Sequence, residues 1–91
     1  MILSFKHKGL ELLYKGDESK IEQSLVKRCK LVLLMLDEAK SPSDLSDNTL
    51  KLHPLKGDRK GFLAVTVRAN WRITFRFIGE NVELLNFEDY H

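Results

Sequence analysis

Two histidines in the C-terminal half of the sequence are the side chains best suited to acid–base chemistry near neutral pH. His53 lies beside a basic segment, and His91 follows Asp89 and Tyr90. RNA cleaves itself when its 2′-hydroxyl is deprotonated in line with the adjacent phosphorus and the leaving 5′-oxygen receives a proton. Imidazole suits both proton transfers, and Tyr90 can stack on a base or donate a hydrogen bond. These residue types make metal-independent RNA cleavage one hypothesis for the function.

The residues alone leave other interpretations open. A histidine in a strand is usually structural or merely exposed, and Asp89 can equally be an ion-pair partner for an arginine. Generic binding of an anion or a nucleic acid needs only positive charge. The sequence has no Gly-rich phosphate loop, no nucleophile elbow and no zinc-like spacing of histidines. Its single cysteine, Cys29, excludes an internal disulfide and a cysteine-based zinc site, and we expect it in the core.

Positive charge is concentrated in the middle of the chain. Residues 51–76 carry seven basic side chains against Asp58 alone, although the net charge of the whole chain is only +2. A segment so biased creates a positive potential suited to phosphate, although a solvated polar surface is the alternative. Four of its cations are the expected ligands for RNA phosphates: Lys56, Lys60, Arg68 and Arg72.

Length and hydropathy restrict the class of protein. The 91 residues, 43% hydrophobic and 31% charged, predict a single soluble domain over residues 1–91 with one modest core. The longest apolar run, residues 31–36, is far shorter than the ~20 residues that span a bilayer. No continuous apolar stretch follows Lys6 and Lys8, so we expect no signal peptide and a cytoplasmic location. His7 is expected at the surface.

Helical periodicity dominates the N-terminal half. Residues 6–14 predict a short helix that ends at Gly16. Residues 19–22 have the pattern of a capping box, in which a serine hydroxyl and a glutamate satisfy backbone N–H groups. Apolar residues then recur at three- and four-residue spacing as far as Ala39, which predicts a second, amphipathic helix. Residues 41–44 should break that helix and start one further turn.

From Lys51 onwards the hydrophobic period changes to two. Strands are expected near residues 51–55, 62–67, 71–77 and 82–87. Alternation gives this sheet an apolar face and a basic face, the latter with Arg68, Arg72 and Arg76. The helices should cover the apolar face and leave the basic face open. The predicted fold class is α+β, with two N-terminal helices packed on one face of a mostly antiparallel sheet.

Three blocks of the sequence, in the same order, resemble the HigB toxins of the RelE/ParE superfamily, also called plasmid maintenance system killer proteins. The blocks are residues 51–59 (KLHPLKGDR), 67–75 (VRANWRITF) and 88–91 (EDYH), and residues 4–10 resemble the start of the family. The resemblance covers nearly the whole chain and implies the RelE-like microbial RNase toxin fold. Where Leu63 stands, relatives often carry a tryptophan, a departure that concerns packing more than chemistry.

The resemblance implies the toxin of a type II toxin–antitoxin system. Such a toxin is a ribosome-dependent endoribonuclease that cuts mRNA in the A site of the 70S ribosome, without a cofactor, through the RNA 2′-hydroxyl. It also implies a HigA-like helix-turn-helix antitoxin as partner. The residues that match the family's active-site set are His53, Asp89, Tyr90 and His91. His91 and Asp89 are then the expected proton-transfer groups, and His53 and Tyr90 position the substrate or share in that transfer.

Two alternatives remain beside this interpretation. The first is a non-enzymatic RelE/ParE-like toxin that poisons a protein target such as a topoisomerase, for which the full set of matched residues would be unnecessary. The second is an RNA-binding module that has lost catalysis, which would bind ribosomes without leaving cut mRNA. The effect of replacing His91 distinguishes a nuclease from a protein-binding poison.

Overall fold

The computed structural model describes residues 1–90, and the predicted site residue His91 lies outside the described residues. Its helices are α1 (Lys8–Tyr14) and α2 (Gln23–Glu38), followed by 3₁₀ turns at Pro42–Leu45 and Gly57–Arg59. Its strands are β1 (His53–Pro54), β2 (Leu63–Arg68), β3 (Trp71–Ile78) and β4 (Asn81–Asp89). No helix within residues 1–90 is long and apolar enough to cross a bilayer.

The four strands form one antiparallel sheet in the order β1-β2-β3-β4. The N-terminal segment adds two parallel bridges beside β4, from Ile2 to Val82 and from Phe5 to Leu85. Both helices pack on one face of this sheet, as predicted for the α+β class. The core between them includes Leu10, Leu25, Cys29, Val32, Leu36, Val65, Ile73, Phe75, Leu85 and Phe87. Cys29 is fully buried, which confirms the expected core thiol, and this burial raises its pKa to about 11.

The start of α2 differs from the predicted capping box. The helix begins at Gln23, and its N-cap residue Glu22 makes no side-chain capping hydrogen bond. The backbone N–H of Ser19 instead donates to the Asp17 carboxylate at 3.0 Å. Asp17 thereby offers the backbone a local turn that competes with the helix. A capping box is present one element later, where Ser41 opens the further helical turn predicted at this point.

The side chain of His7 sets the start of α1. Its Nδ1 accepts a hydrogen bond from the Leu10 backbone N–H at 3.1 Å, so the helix begins at Lys8. Its ring packs edge-on against Phe87, with 5.6 Å between ring centroids. The expectation of a surface His7 is therefore wrong, because the residue is a half-buried N-cap.

We expect His7 to make the fold less stable in mild acid. Burial lowers the pKa of His7 from its ordinary value of 6.5, so the unfolded chain binds this proton more readily. The contribution of His7 to the free energy of unfolding should therefore be fully present above pH 6.5. It should be lost as the pH falls towards the pKa of His7 in the folded state. Denaturant unfolding at pH 7.5 and 5.5 measures the loss. The control His7→Asn keeps a capping oxygen but does not titrate, and an equal loss in both proteins would exclude this role of His7.

A β-bulge changes which residues share a face of the sheet. The register between β2 and β3 shifts between Thr66 and Arg68, so that Arg68 pairs with Trp71. Paired residues of an antiparallel ladder lie on the same face, and Trp71 lies on the helix side, stacked on Phe87. Arg68 accordingly donates to the Ser24 carbonyl on α2 at 3.3 Å. The prediction that Arg68 shares the basic face is wrong, because strict alternation fails at a bulge.

Candidate active site on the polar face of the sheet

The face of the sheet opposite the helices, called the polar face below, carries several of the predicted site residues. One row of ladder partners across the four strands is His53, Ala64, Thr74 and Asn86. The next row on β2, β3 and β4 is Thr66, Arg72 and Glu88. With strands 4.7–4.9 Å apart, the Cα atoms of His53 and Arg72 are separated by about 12 Å. His53 and Arg72 therefore lie on one face of the sheet, with two strands' spacing between them.

The imidazole of His53 is held in one tautomer. Its Nδ1 lies 2.9 Å from the carbonyl oxygen of Lys51. A carbonyl only accepts hydrogen bonds, so Nδ1 carries a proton, and in the neutral ring it is Nε2 that has the lone pair. Lys51 presents this carbonyl from a left-handed backbone conformation, with φ of 50°. A neutral His53 is therefore oriented to accept a proton at Nε2.

Glu88 is the centre of an ion-pair cluster that the sequence analysis missed. The Arg59 guanidinium donates to both carboxylate oxygens. Arg72 donates to Oε1 through Nε at 3.3 Å and Nη2 at 3.1 Å, and the Asn86 amide donates to Oε2 at 3.3 Å. The hydrogen bond from Arg59, followed by that from Arg72, holds the pKa of Glu88 below its ordinary range. The cluster thus carries two guanidinium charges and one carboxylate charge.

Arg72 is enclosed between Glu88 and Tyr90. Its guanidinium carbon lies 4.4 Å from the centroid of the Tyr90 ring, a cation–π distance. Its side chain is only 12% exposed, whereas Tyr90 is 40% exposed. The Tyr90 backbone N–H donates to the Asn70 carbonyl at 3.0 Å and anchors the end of β4. One face of the tyrosine ring therefore packs on Arg72, and an exposed part of the side chain is left for a base.

The β1–β2 loop, residues 55–62, crosses part of the polar face. Its ends are joined by a hydrogen bond from the Leu55 N–H to the Phe62 carbonyl at 2.9 Å. Arg59 reaches β4 at Glu88, and the Phe62 ring lies under the Arg76 guanidinium, 5.6 Å from its centroid. Ala64, on the polar face, is fully buried. The prediction of an open basic face is therefore wrong in part, because this loop covers some of it.

The remaining predicted site residues are dispersed. Lys56 and Lys60 flank the 3₁₀ turn of the loop, are exposed, and form no ion pair within residues 1–90. Asp89 pairs with Trp71 in the ladder, so alternation directs it to the opposite side of β4 from Glu88 and Tyr90. The structure therefore brings Tyr90 and Arg72 together, places His53 on the same face, and separates Asp89 from that face.

Within residues 1–90, no three or more His, Cys, Asp or Glu side chains lie close enough together to hold a metal ion. That RNA cleavage needs no metal ion stays a prediction, because it is a property of the reaction with bound RNA.

The architecture is that of the RelE-like toxins, as two solved structures show. One is a mutant of YafQ from E. coli, with a TM-score of 0.64 at 16% identity, covering 98% of this chain and 91% of that one. The other is the YoeB/ParE toxin from Agrobacterium tumefaciens, with a TM-score of 0.58 at 15% identity, covering 99% and 98%. At sequence identities this low, the structural similarity shows a shared fold alone, and it confirms the predicted RelE-like fold.

Within this class the chain belongs to the HigB family. Residues 3–91 match the model of the family described as the RelE-like toxin of type II toxin-antitoxin system HigB. The sequence is also 52% identical, over 92 residues and the full length of both chains, to the Endoribonuclease HigB of Proteus vulgaris. The resemblance inferred from three sequence blocks is confirmed, and membership of a toxin–antitoxin family implies an antitoxin as partner.

Proposed function

We propose that this chain is the toxin of a type II toxin–antitoxin system and an endoribonuclease that cleaves mRNA in the ribosomal A site. The observation that carries the proposal is the arrangement of the polar face. There, His53, with its Nδ1 bonded to the Lys51 carbonyl, shares one side of the sheet with Arg72. Full-length identity of 52% to an endoribonuclease supports the same activity.

The proposed reaction uses only side-chain proton transfers and charge stabilisation. Nε2 of His53 accepts the proton of the 2′-hydroxyl as the 2′-oxygen bonds to phosphorus. The guanidinium of Arg72 stabilises the negative charge that develops on the phosphorane oxygens. The bond from phosphorus to the 5′-oxygen then breaks, and that oxygen receives a proton. The products are a 2′,3′-cyclic phosphate and a 5′-hydroxyl.

The C-terminal pair Asp89 and His91 supplies the proton donor in this scheme, although alternation directs Asp89 to the side of β4 away from the polar face. The resemblance to the family assigns both residues to proton transfer, and His91 is the better donor near neutral pH because imidazole titrates in that range. Tyr90 holds the reacting nucleotide through its exposed ring. Lys56 and Lys60, which are exposed, bind flanking phosphates. Arg68 can contribute to such binding only from the helix side.

The low net charge of the chain supports dependence on the ribosome. The chain carries only +2, and Glu88 and Glu83 pair with three of the arginines on the polar face. Affinity for free RNA at physiological salt depends on the number of phosphates neutralised, so it should be low. A ribosome would hold the mRNA and supply ribosomal RNA as a docking surface. We therefore include the 70S ribosome and its mRNA among the partners.

We expect naked mRNA to be cut at least ~100-fold more slowly than the same mRNA on a ribosome, since positioning alone is worth this much. The measurement is a time course with one transcript at about 150 mM salt, the ionic strength at which surface charges are well screened. The control is the same transcript with ribosomes stalled at a different codon. Comparable rates on free and ribosome-bound RNA would refute the dependence on the ribosome.

The proposal includes a location and a specific partner. The enzyme acts in the cytoplasm, where ribosomes translate. Its antitoxin is a HigA-like helix-turn-helix protein, as the family resemblance implies. Co-expression with such a protein should restore growth, and the two proteins should form a stable complex on size-exclusion chromatography. Failure to form a complex would reject this protein as the partner.

A further inference from the structure

We infer that Glu88 is a positioning residue for RNA cleavage, which fixes the Arg72 guanidinium beside Tyr90 and fastens the β1–β2 loop through Arg59. The inference rests on the proposed function, because it concerns the same reaction. Glu88 itself lies among donors only, namely two guanidinium groups and the Asn86 amide. A carboxylate saturated in this way acts on the substrate through the side chains that it holds.

The contacts of Arg72 explain why it needs a fixed partner. A free arginine side chain samples many rotamers, whereas a group that stabilises a phosphorane acts only from a defined position. The two bonds to Glu88 Oε1 use Nε and Nη2 of Arg72, and the Tyr90 ring covers one face of its plane. Nη1 takes no part in the contact with Glu88, and under the proposed function it is the nitrogen that would donate to the phosphate. Without Glu88, the Tyr90 ring is the principal contact left to orient the guanidinium.

The contact of Arg59 extends the effect of Glu88 to the loop. Arg59 is the last residue of the 3₁₀ turn, with Lys56 just before that turn and Lys60 just after it. Its bonds to both oxygens of Glu88 join residues 29 positions apart in the chain. One carboxylate therefore fixes the position of Arg72 on β3 and of the two exposed lysines on the loop.

The charge of Glu88 gives this role a distinctive kinetic signature. A carboxylate beside Arg72 weakens the local positive potential and so opposes the binding of phosphate. Removing its charge should strengthen binding of RNA while it weakens catalysis. If Glu88 served only the fold, its replacement would lower the concentration of active enzyme and leave the KM unchanged.

The test compares Glu88→Gln with a matched control, Glu83→Gln. Glu83 forms the other cross-strand ion pair of the polar face, with Arg76 at 2.6 Å, so its replacement removes the same charge from the same face. With ribosome-bound mRNA we expect the kcat of Glu88→Gln to fall about 10–100-fold, with a KM equal to or below that of the wild type. Glu83→Gln should keep a kcat within about twofold of the wild type. Equal kcat values for the two variants would overturn the inference.

A second measurement does not depend on the kinetics of any variant. In ¹H–¹⁵N spectra of the wild-type protein, the Arg72 Nε–H should exchange slowly with water because Glu88 accepts it, and Arg72→Lys identifies the signal by its loss. Exchange as fast as that of a free arginine would overturn the inference even if Glu88→Gln failed to fold. Absence of any cleavage by the wild type on ribosomes is a separate outcome. It would reject the proposed function, and with it any role of Glu88 in cleavage.

Discussion

Replacing His53 by alanine is expected to lower the rate of mRNA cleavage on the ribosome by about 10²–10⁴-fold, the usual contribution of one general acid–base group. The reason is the orientation of the ring, since the Lys51 carbonyl engages Nδ1 and leaves Nε2 as the nitrogen that can accept the 2′-hydroxyl proton. Alanine removes that acceptor without disturbing the core, because His53 lies at the edge of the sheet on the two-residue strand β1. Single-turnover primer extension on ribosome-bound mRNA measures the rate.

The matched control for His53→Ala is His7→Asn. His7 is a histidine on the other side of the sheet, where it caps α1 and packs on Phe87, so its replacement should leave the cleavage rate within about threefold. Thermal melting should show His53→Ala to be folded. A cleavage rate of His53→Ala within tenfold of the wild type would transfer the role of base to Asp89 or His91.

The second large effect is expected at Arg72. Replacement by glutamine should reduce kcat by about 10²–10³-fold, as the loss of one donor to a developing oxyanion does. Arg72→Lys should restore little of this, because an ammonium group lacks the planar fork that bonds Glu88 through two nitrogens and stacks on Tyr90. The fold should survive, since Glu88 keeps its bonds from Arg59. The measurement is kcat and KM on ribosome-bound mRNA.

Arg76→Gln is the control for the Arg72 variants. Arg76 is a second guanidinium of the polar face on the same strand, paired with Glu83 and lying over the Phe62 ring. Its loss removes equal charge but no proposed contact with the reacting phosphate, so kcat should stay within about threefold of the wild type. If Arg76→Gln were as damaging as Arg72→Gln, the effect would reflect the charge of the face and not a placed donor.

Periodicity in the sequence predicted the elements of the fold closely. Residues 71–77 were expected as a strand and β3 is Trp71–Ile78, because alternation of large apolar with polar residues reports directly on a half-buried sheet. The end of α2 was also predicted, and Ala39 is its C-cap. The start of α2 was not, since Asp17 and Ser19 form a local turn whose stability a capping pattern does not reveal.

The site was predictable only in part. Residue types and family blocks indicate His53 and Tyr90, which the structure places on the same face of the sheet, and their roles stay predictions. Glu88 was missed because its partners, Arg59 and Arg72, are 29 and 16 residues away, and only strand register and the return of the loop bring them together. The bulge that turns Arg68 to the helix side likewise has no signal in a single sequence.

The most direct test of the account is cleavage on a ribosome. The purified chain, with no residue added after His91, is incubated with ribosomes stalled on a defined mRNA, and cut sites are mapped by primer extension. The parallel reactions contain naked mRNA, His53→Ala or His91→Ala. We predict a cut within the A-site codon that requires the ribosome and is lost in both variants. Absence of any cut, with growth arrest persisting in cells that express the chain or its His91→Ala variant, would contradict the account. It would favour a toxin that acts by binding a protein target.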